Sequence, residues 1–170
     1  MRRRRLALVF AIALAAAAAP GPVLGRGEVL RGRAEALEGD VLSVGGTTVR
    51  LHGIDAPDPG QTCHAPGGRE YDCGEVARRE LAAILEGREV ACELAVPPGR
   101  DGRRVGTCRS EGKSIAGAMV IRGWAFAAIR LSPDYVRVQA AAQSRKAGMW
   151  AGRVEAPWNW RSRKAAAALP

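Results

Sequence analysis

Downstream of residue 26 the apolar positions recur in short runs whose period changes along the chain, and those changes mark the elements. Gly27 to Leu37 alternates apolar and polar residues, which predicts a half-buried strand. Glu38-Gly39-Asp40 then interrupts it with a turn signal. Val41 to Val44 and Thr47 to Arg50 flank Gly45-Gly46, a two-residue composition that favours a primed turn and so predicts a hairpin. In a simple ladder Arg50 lies opposite Val41, and Asp40 faces the other side from Arg50. Bringing the two together requires strand-end twist or a bulge. The second strand runs on through Leu51-His52-Gly53-Ile54-Asp55-Ala56-Pro57-Asp58. Pro57 forces Ala56 into an extended conformation, so Asp55 and Asp58 flank a rigid turn.

Helical spacing appears next. From Glu75 the apolar positions Val76, Ala77, Leu81, Ile84 and Leu85 line one face, and Gly87 follows as a cap. Arg88 to Val96 and Arg103 to Arg109 predict two strands joined by the turn-rich segment Pro97 to Gly102. Lys113 to Arg122 predicts a second helix ended by Gly123, and Trp124 to Ile129 an apolar strand-like run. A third helix is expected from the Ser132-Pro133 start, with Tyr135, Val138 and Ala142 on one face and Gly148 at its end. Strand, hairpin, helix, two strands and two helices fit a Greek-key barrel with helices packed on it.

The run Arg50-Leu51-His52-Gly53-Ile54-Asp55-Ala56-Pro57, preceded by Glu38-Gly39-Asp40 and followed by Asp101-Gly102-Arg103, resembles the thermonuclease (staphylococcal nuclease-like) family. Gln61-Thr62-Cys63, Tyr71-Asp72-Cys73-Gly74 and Pro157-Trp158-Asn159-Trp160-Arg161 are similar to a secreted bacterial, cysteine-containing subgroup of it. The resemblance implies an α+β fold with a mainly β core: a five-stranded OB-fold barrel carrying three packed helices. It also implies calcium-dependent phosphodiester hydrolysis of DNA or RNA, with single-stranded or denatured DNA as substrate and a monomeric enzyme. On this reading Asp40, Asp55 and the backbone carbonyl of Ala56 bind Ca2+. Two carboxylates completed by water and phosphate oxygens are the donors a hard cation takes. Arg50 and Arg103 clamp the phosphate with forked donors, and Asp58 orients the attacking water. Asp58 stands where the family usually has glutamate, and Ile129 and Leu131 stand where it has nucleotide-contacting tyrosines. The missing tyrosines, with Asp101 where the family has an aromatic two residues before Arg103, support the alternative of a weakened or inactive OB-fold module that binds nucleic acid or a protein partner without cutting it.

At 170 residues and 47% hydrophobic composition the chain allows one domain with a sizeable core. Met1 to Arg5 is basic and Leu6 to Ala19 apolar, the pattern of an export signal, and short of the ~20 residues a spanning helix needs. An uncleaved anchor stays open. The expected division is a leader over 1–25, the domain over 26–163 and a tail over 164–170, with the mature protein extracytoplasmic, secreted or periplasmic. Arg2 to Arg5 carry four of the nine net positive charges, and the five that remain suit either nucleic acid or an ordinary soluble surface. Four cysteines in an exported chain imply two disulfides, and Cys63 with Cys73 and Cys92 with Cys108 are expected: the first closes a glycine-rich loop and the second joins neighbouring strands. Zinc is the rival use, but no Cys-x-x-Cys spacing supports it. Trp150, Trp158 and Trp160 serve either as anchors for the tail or as a platform for bases.

Overall fold

The computed structural model describes residues 28–95 and 103–168. The leader and the Pro97 to Gly102 connection therefore lie outside the described residues. Strand β1 (Val29–Ala36) pairs antiparallel with β2 (Val41–Val44), which forms the predicted hairpin with β3 (Thr47–Leu51). Gly45 and Gly46 hold φ of 55° and 84°, as a primed turn requires, and Val41 sits opposite Arg50. After β3 come β4 (Ile54–Asp55) and the small ribbon of β5 (Thr62–His64) and β6 (Glu70–Asp72). Helix α1 (Cys73–Leu85) follows, with Asp72 as N-cap accepting the Glu75 N–H at 2.8 Å. Strands β7 (Glu89–Leu94) and β8 (Arg104–Ser110) continue the sheet.

The sheet closes on itself. β7 pairs with both β1 and β8, and β8 also runs parallel to β3, matching Val49 with Arg104 and Leu51 with Gly106. Five strands thus make a closed mixed barrel with no free edge between β3 and β8. The expected OB-type barrel is therefore the fold. Its interior holds Leu42, Val49, Leu51, Ile54, Val90 and Leu94, sealed on one end by Ala77, Leu81 and Leu85 of α1. Both expected disulfides are present, and Cys92 and Cys108 lie directly opposite each other on β7 and β8.

The two-residue strand β9 (Lys113–Ser114) leads into helix α2 (Ile115–Ile121), capped by Ser114 Oγ accepting the Gly117 N–H. Of the apolar run after Gly123 only β10 (Phe126–Ala127) is strand, because it finds a partner only in the equally short β4. Helix α3 (Val136–Ser144) begins three residues later than Pro133 predicts. Ser132 Oγ accepts the Asp134 N–H at 3.2 Å, a local turn that competes with the helical one. The structure also carries one α-helix more than expected. After a 3-10 turn over Gly148–Ala151, helix α4 (Pro157–Ala167) includes most of the segment read as a tail. It lacks an apolar stripe, so periodicity misses it. Pro157 at its first turn and alanines near its end favour the helix locally.

Candidate active site

The hairpin solves the facing problem at its open end. Beyond the Val41–Arg50 pair, Leu51 donates its N–H to the Asp40 carbonyl at 2.8 Å. The Asp40 carboxylate crosses to the long Arg50 side chain, whose Nε and Nη2 donate to Oδ2 at 3.1 and 3.0 Å. Gly39 makes this turn possible. A side chain there would collide with the Cβ atoms of Ala56 and Ala77, 2.7 and 2.8 Å from where its own Cβ would stand. The same closeness sets Ala56 beside the Asp40 turn.

Asp55 enters from β4, which Phe126 and Ala127 of β10 hold in register. Arg50 Nη2 reaches Asp55 Oδ1 at 3.4 Å, so one guanidinium joins the two carboxylates expected to bind metal. Asp58 follows on the proline turn, which Gln61 fastens twice. Asp58 donates its N–H to Gln61 Oε1 at 3.2 Å, and Gln61 donates its own N–H back to the Asp58 carbonyl at 2.9 Å. Gln61 is fully buried and spends its Nε2 on the Glu155 carbonyl, at 2.7 Å, just ahead of α4. The Cys63–Cys73 bridge and the Cys73 N–H to Gln61 carbonyl bond brace this turn from the side of α1. At Gly74 any side chain would strike the Asp58 carbonyl.

Arg161 completes the cluster from α4. Its Nη2 donates to Asp55 Oδ2 at 2.6 Å, and its Nη1 donates to Asp58 Oδ2 at 2.7 Å and to Asp55 Oδ1 at 3.2 Å. Nothing in the local sequence pattern singles it out. The available signal is Pro157 as a helix start, which would put Trp158 and Arg161 three apart on one face of the same turn. Gln61 was likewise legible only as part of a motif.

Arg103 stands at the rim. It meets Glu38 at 3.4 Å, and Glu38 in turn is near enough for its charge to act on Asp40. The structure thus brings Asp40, Arg50, Asp55 and Asp58 into one cluster, with Ala56 against it and Arg103 beside it on Glu38.

Burial controls the electrostatics. Asp40 is 3% exposed, and its carboxyl is pushed up to about 6 by that burial, with the Asp55 and Glu38 charges adding and Arg50 opposing. Asp58 is raised for the same reason, desolvation outweighing Arg161. Burial also works against the charge of Arg50 and of Arg161, but their carboxylates prevail and both are raised. Arg50 keeps part of its hydration, which is why the Asp40 side of the pair bears the cost. A buried carboxylate so poorly compensated suits an added cation. Among the described residues no three His, Cys, Asp or Glu side chains form a self-sufficient metal cage. Asp40 and Asp55, which Arg50 joins, with the Ala56 carbonyl beside them, are oxygen donors of the kind a hard cation takes together with water and substrate oxygen.

Beside the cluster lies a cleft of about 550 Å³ lined by Asp55, Ala127, Ile129, Leu131, Trp158 and neighbouring residues. Ile129 and Leu131 are about two-thirds exposed. Trp158 packs edge-on against Phe126, at 5.4 Å between ring centroids, and Trp150 does the same at 4.7 Å. Both tryptophans thus anchor the C-terminal segment, and Trp158 still offers an exposed face to the cleft.

Residues 48–152 match the family described as staphylococcal nuclease homologue. The chain is 34% identical over 139 residues to the succinoglycan biosynthesis protein ExoI of Rhizobium meliloti (strain 1021), covering 77% of this chain and 70% of that protein. It is 30% identical over 119 residues to probable staphylococcal-like nuclease CAN1 of Oryza sativa subsp. japonica, covering 68% of this chain. A match of 30% over 116 residues joins it to CAN3 of the same plant, covering 66% of this chain. The matched region spans about a third of the length of these rice proteins.

Proposed function

Because the chain belongs to the staphylococcal nuclease homologue family, we propose that it is a calcium-dependent nuclease that hydrolyses phosphodiester bonds of single-stranded or denatured DNA, and of RNA, outside the cytoplasm. The observation that carries this reading is the convergence of Asp40, Arg50, Asp55 and Asp58 on one buried-to-exposed edge of the barrel. Asp40, Asp55 and the Ala56 carbonyl would hold the Ca2+ ion. When bound, the ion acts as a Lewis acid toward the scissile phosphate. Arg50 donates to a non-bridging phosphate oxygen, and Arg103 leaves Glu38 to donate to another, so that charge building up in the five-coordinate transition state meets two guanidinium groups. Asp58 takes a proton from the attacking water as its oxygen bonds to phosphorus and the bond to the leaving sugar oxygen breaks. Its carboxyl, raised by burial, is a stronger base than an exposed aspartate. The cleft beside Asp55 receives the adjoining base, with Trp158, Ile129 and Leu131 as its apolar walls.

The two disulfides and the apolar leader support an extracytoplasmic setting. Among the described residues no helix is long and apolar enough to cross a membrane. The test is direct: purified protein with labelled single-stranded DNA, duplex DNA and RNA, in Ca2+ and in chelator. Cleavage is expected in calcium and none in chelator, and activity unchanged by chelator would remove the calcium role. One observation favours a second reading, a module that binds without cutting. Arg161 already occupies both Asp55 and Asp58. Gel retardation with no products in calcium would support that module.

A further inference from the structure

Arg161 is half-exposed on a helix most of whose residues face solvent, yet it makes two of the shortest side-chain contacts around the site. Its fork is shared unequally. Nη2 takes Asp55 Oδ2 at 2.6 Å, on the side away from Arg50, while Asp55 Oδ1 is the oxygen that Arg50 reaches. Since Arg50 Nη2 also holds Asp40 Oδ2 at 3.0 Å, the oxygen of Asp55 left facing Asp40's side is Oδ1. Nη1 then spans from that same oxygen to Asp58 Oδ2. A planar guanidinium thus sets both the rotation of Asp55 and its separation from Asp58.

We propose that Arg161 is a positioning residue for the hydrolysis, acting through Asp55 and Asp58: it turns one Asp55 oxygen toward Asp40 and fixes the Asp58 carboxylate at the distance from it that the reaction needs. The proposal rests on the nuclease reading above. The helix is built to deliver this contact and little else. Pro157 is buried at its start, Gln61 grips the preceding Glu155 carbonyl, Trp158 docks on Phe126, and the remaining turns face solvent. Removing the guanidinium leaves two adjacent carboxylates with one fewer cation between them. They swing apart, and a misplacement of about 1 Å at a reacting group costs on the order of 10²-fold in rate.

The test compares wild type with Arg161→Ala, Arg161→Lys and, as a helix control, Arg163→Ala, which removes only an exposed pair with Glu155. Arg161→Ala should lower kcat by about 10²-fold with KM little changed. Arg161→Lys should recover part of that loss, and free guanidinium added to Arg161→Ala should restore activity. Arg163→Ala should match wild type. Adding Arg161→Ala to Asp58→Ala should cost less than Arg161→Ala costs in wild type, because the part of its effect that passes through Asp58 is already gone and only the part through Asp55 remains. Calcium titration by calorimetry supplies a readout independent of turnover. Arg161→Ala should bind Ca2+ more weakly than wild type, because the Asp55 oxygen that Arg161 turns toward Asp40 is no longer held there. Equal or higher kcat in Arg161→Ala would overturn the proposal and identify Arg161 as a latch that holds the site shut. A wild type that cleaves nothing would overturn the nuclease reading instead, and unchanged calcium affinity in Arg161→Ala would then overturn the positioning role on its own.

Discussion

Replacing Asp40 with asparagine should make the metal-free protein more stable while destroying its activity. Asp40 is 3% exposed and its carboxyl is raised from 3.8 to about 6, chiefly by burial. A tenfold weaker acid in the fold corresponds to about 1.4 kcal/mol, so holding Asp40 ionised costs the fold on the order of 3 kcal/mol. Between pH 3.8 and about 6 the folded chain binds more protons at this residue than the unfolded chain does. Stability from this group therefore falls as pH rises through that window, and the full cost is present above it. Asparagine keeps an oxygen for the Arg50 donors and carries no charge, so it behaves as the neutral acid at every pH. Urea unfolding in chelator, followed by tryptophan fluorescence, should show Asp40→Asn more stable than wild type by about 3 kcal/mol at pH 8. The two should converge below pH 3.8. Calcium should then stabilise wild type and leave Asp40→Asn unaffected. If Asp40→Asn is the less stable protein at pH 8, the Asp40–Arg50 pair outweighs the cost of burial and the reasoning fails.

Further outcomes follow from the turn and the leader. Gln61→Leu leaves the Asp58 N–H and the Glu155 carbonyl without their buried partner, and should cost about 1 to 3 kcal/mol for each group in denaturant unfolding. A stability equal to wild type would show that water replaces Gln61. Asp58→Glu pushes the carboxylate about 1 Å past its place on Arg161 and should lower kcat by up to ~10²-fold, with calcium affinity nearly unchanged. A faster enzyme would mean that Arg161 does not hold Asp58. If the leader directs export, the intact mass of the protein recovered outside the cytoplasm should lack residues 1 to 19, and a mass that includes them would show an anchored protein.

Much of the barrel was legible because its information is local. Gly45-Gly46 between two short alternating runs dictates a primed turn, and that turn alone sets Val41 against Arg50. Helix α1 was equally plain from the spacing of Ala77, Leu81, Ile84 and Leu85. The site was legible in part. Period-two alternation puts Asp40 and Arg50 on opposite faces, and it took the length of the arginine side chain at a strand end to reunite them. Family resemblance named that pair, since local pattern could not. Helix α4 escaped because its stability owes little to an apolar stripe, and the role of Arg161, named only as part of a family motif, escaped with it: a contact with Asp55 across 106 residues leaves no trace in local spacing. Ser132 misled for the opposite reason, since its hydroxyl serves a turn instead of capping α3.

If Asp40 and its neighbours form a divalent-dependent phosphodiesterase site, removing that one carboxylate must abolish cleavage and calcium dependence together. Wild type and Asp40→Ala should be purified in parallel and incubated with end-labelled single-stranded DNA at pH 8 across a calcium titration. Wild type should give labelled fragments that appear with calcium and vanish in chelator, and Asp40→Ala none at any calcium concentration. Equal cleavage by the two proteins, or cleavage by wild type that chelator leaves untouched, would contradict such a site.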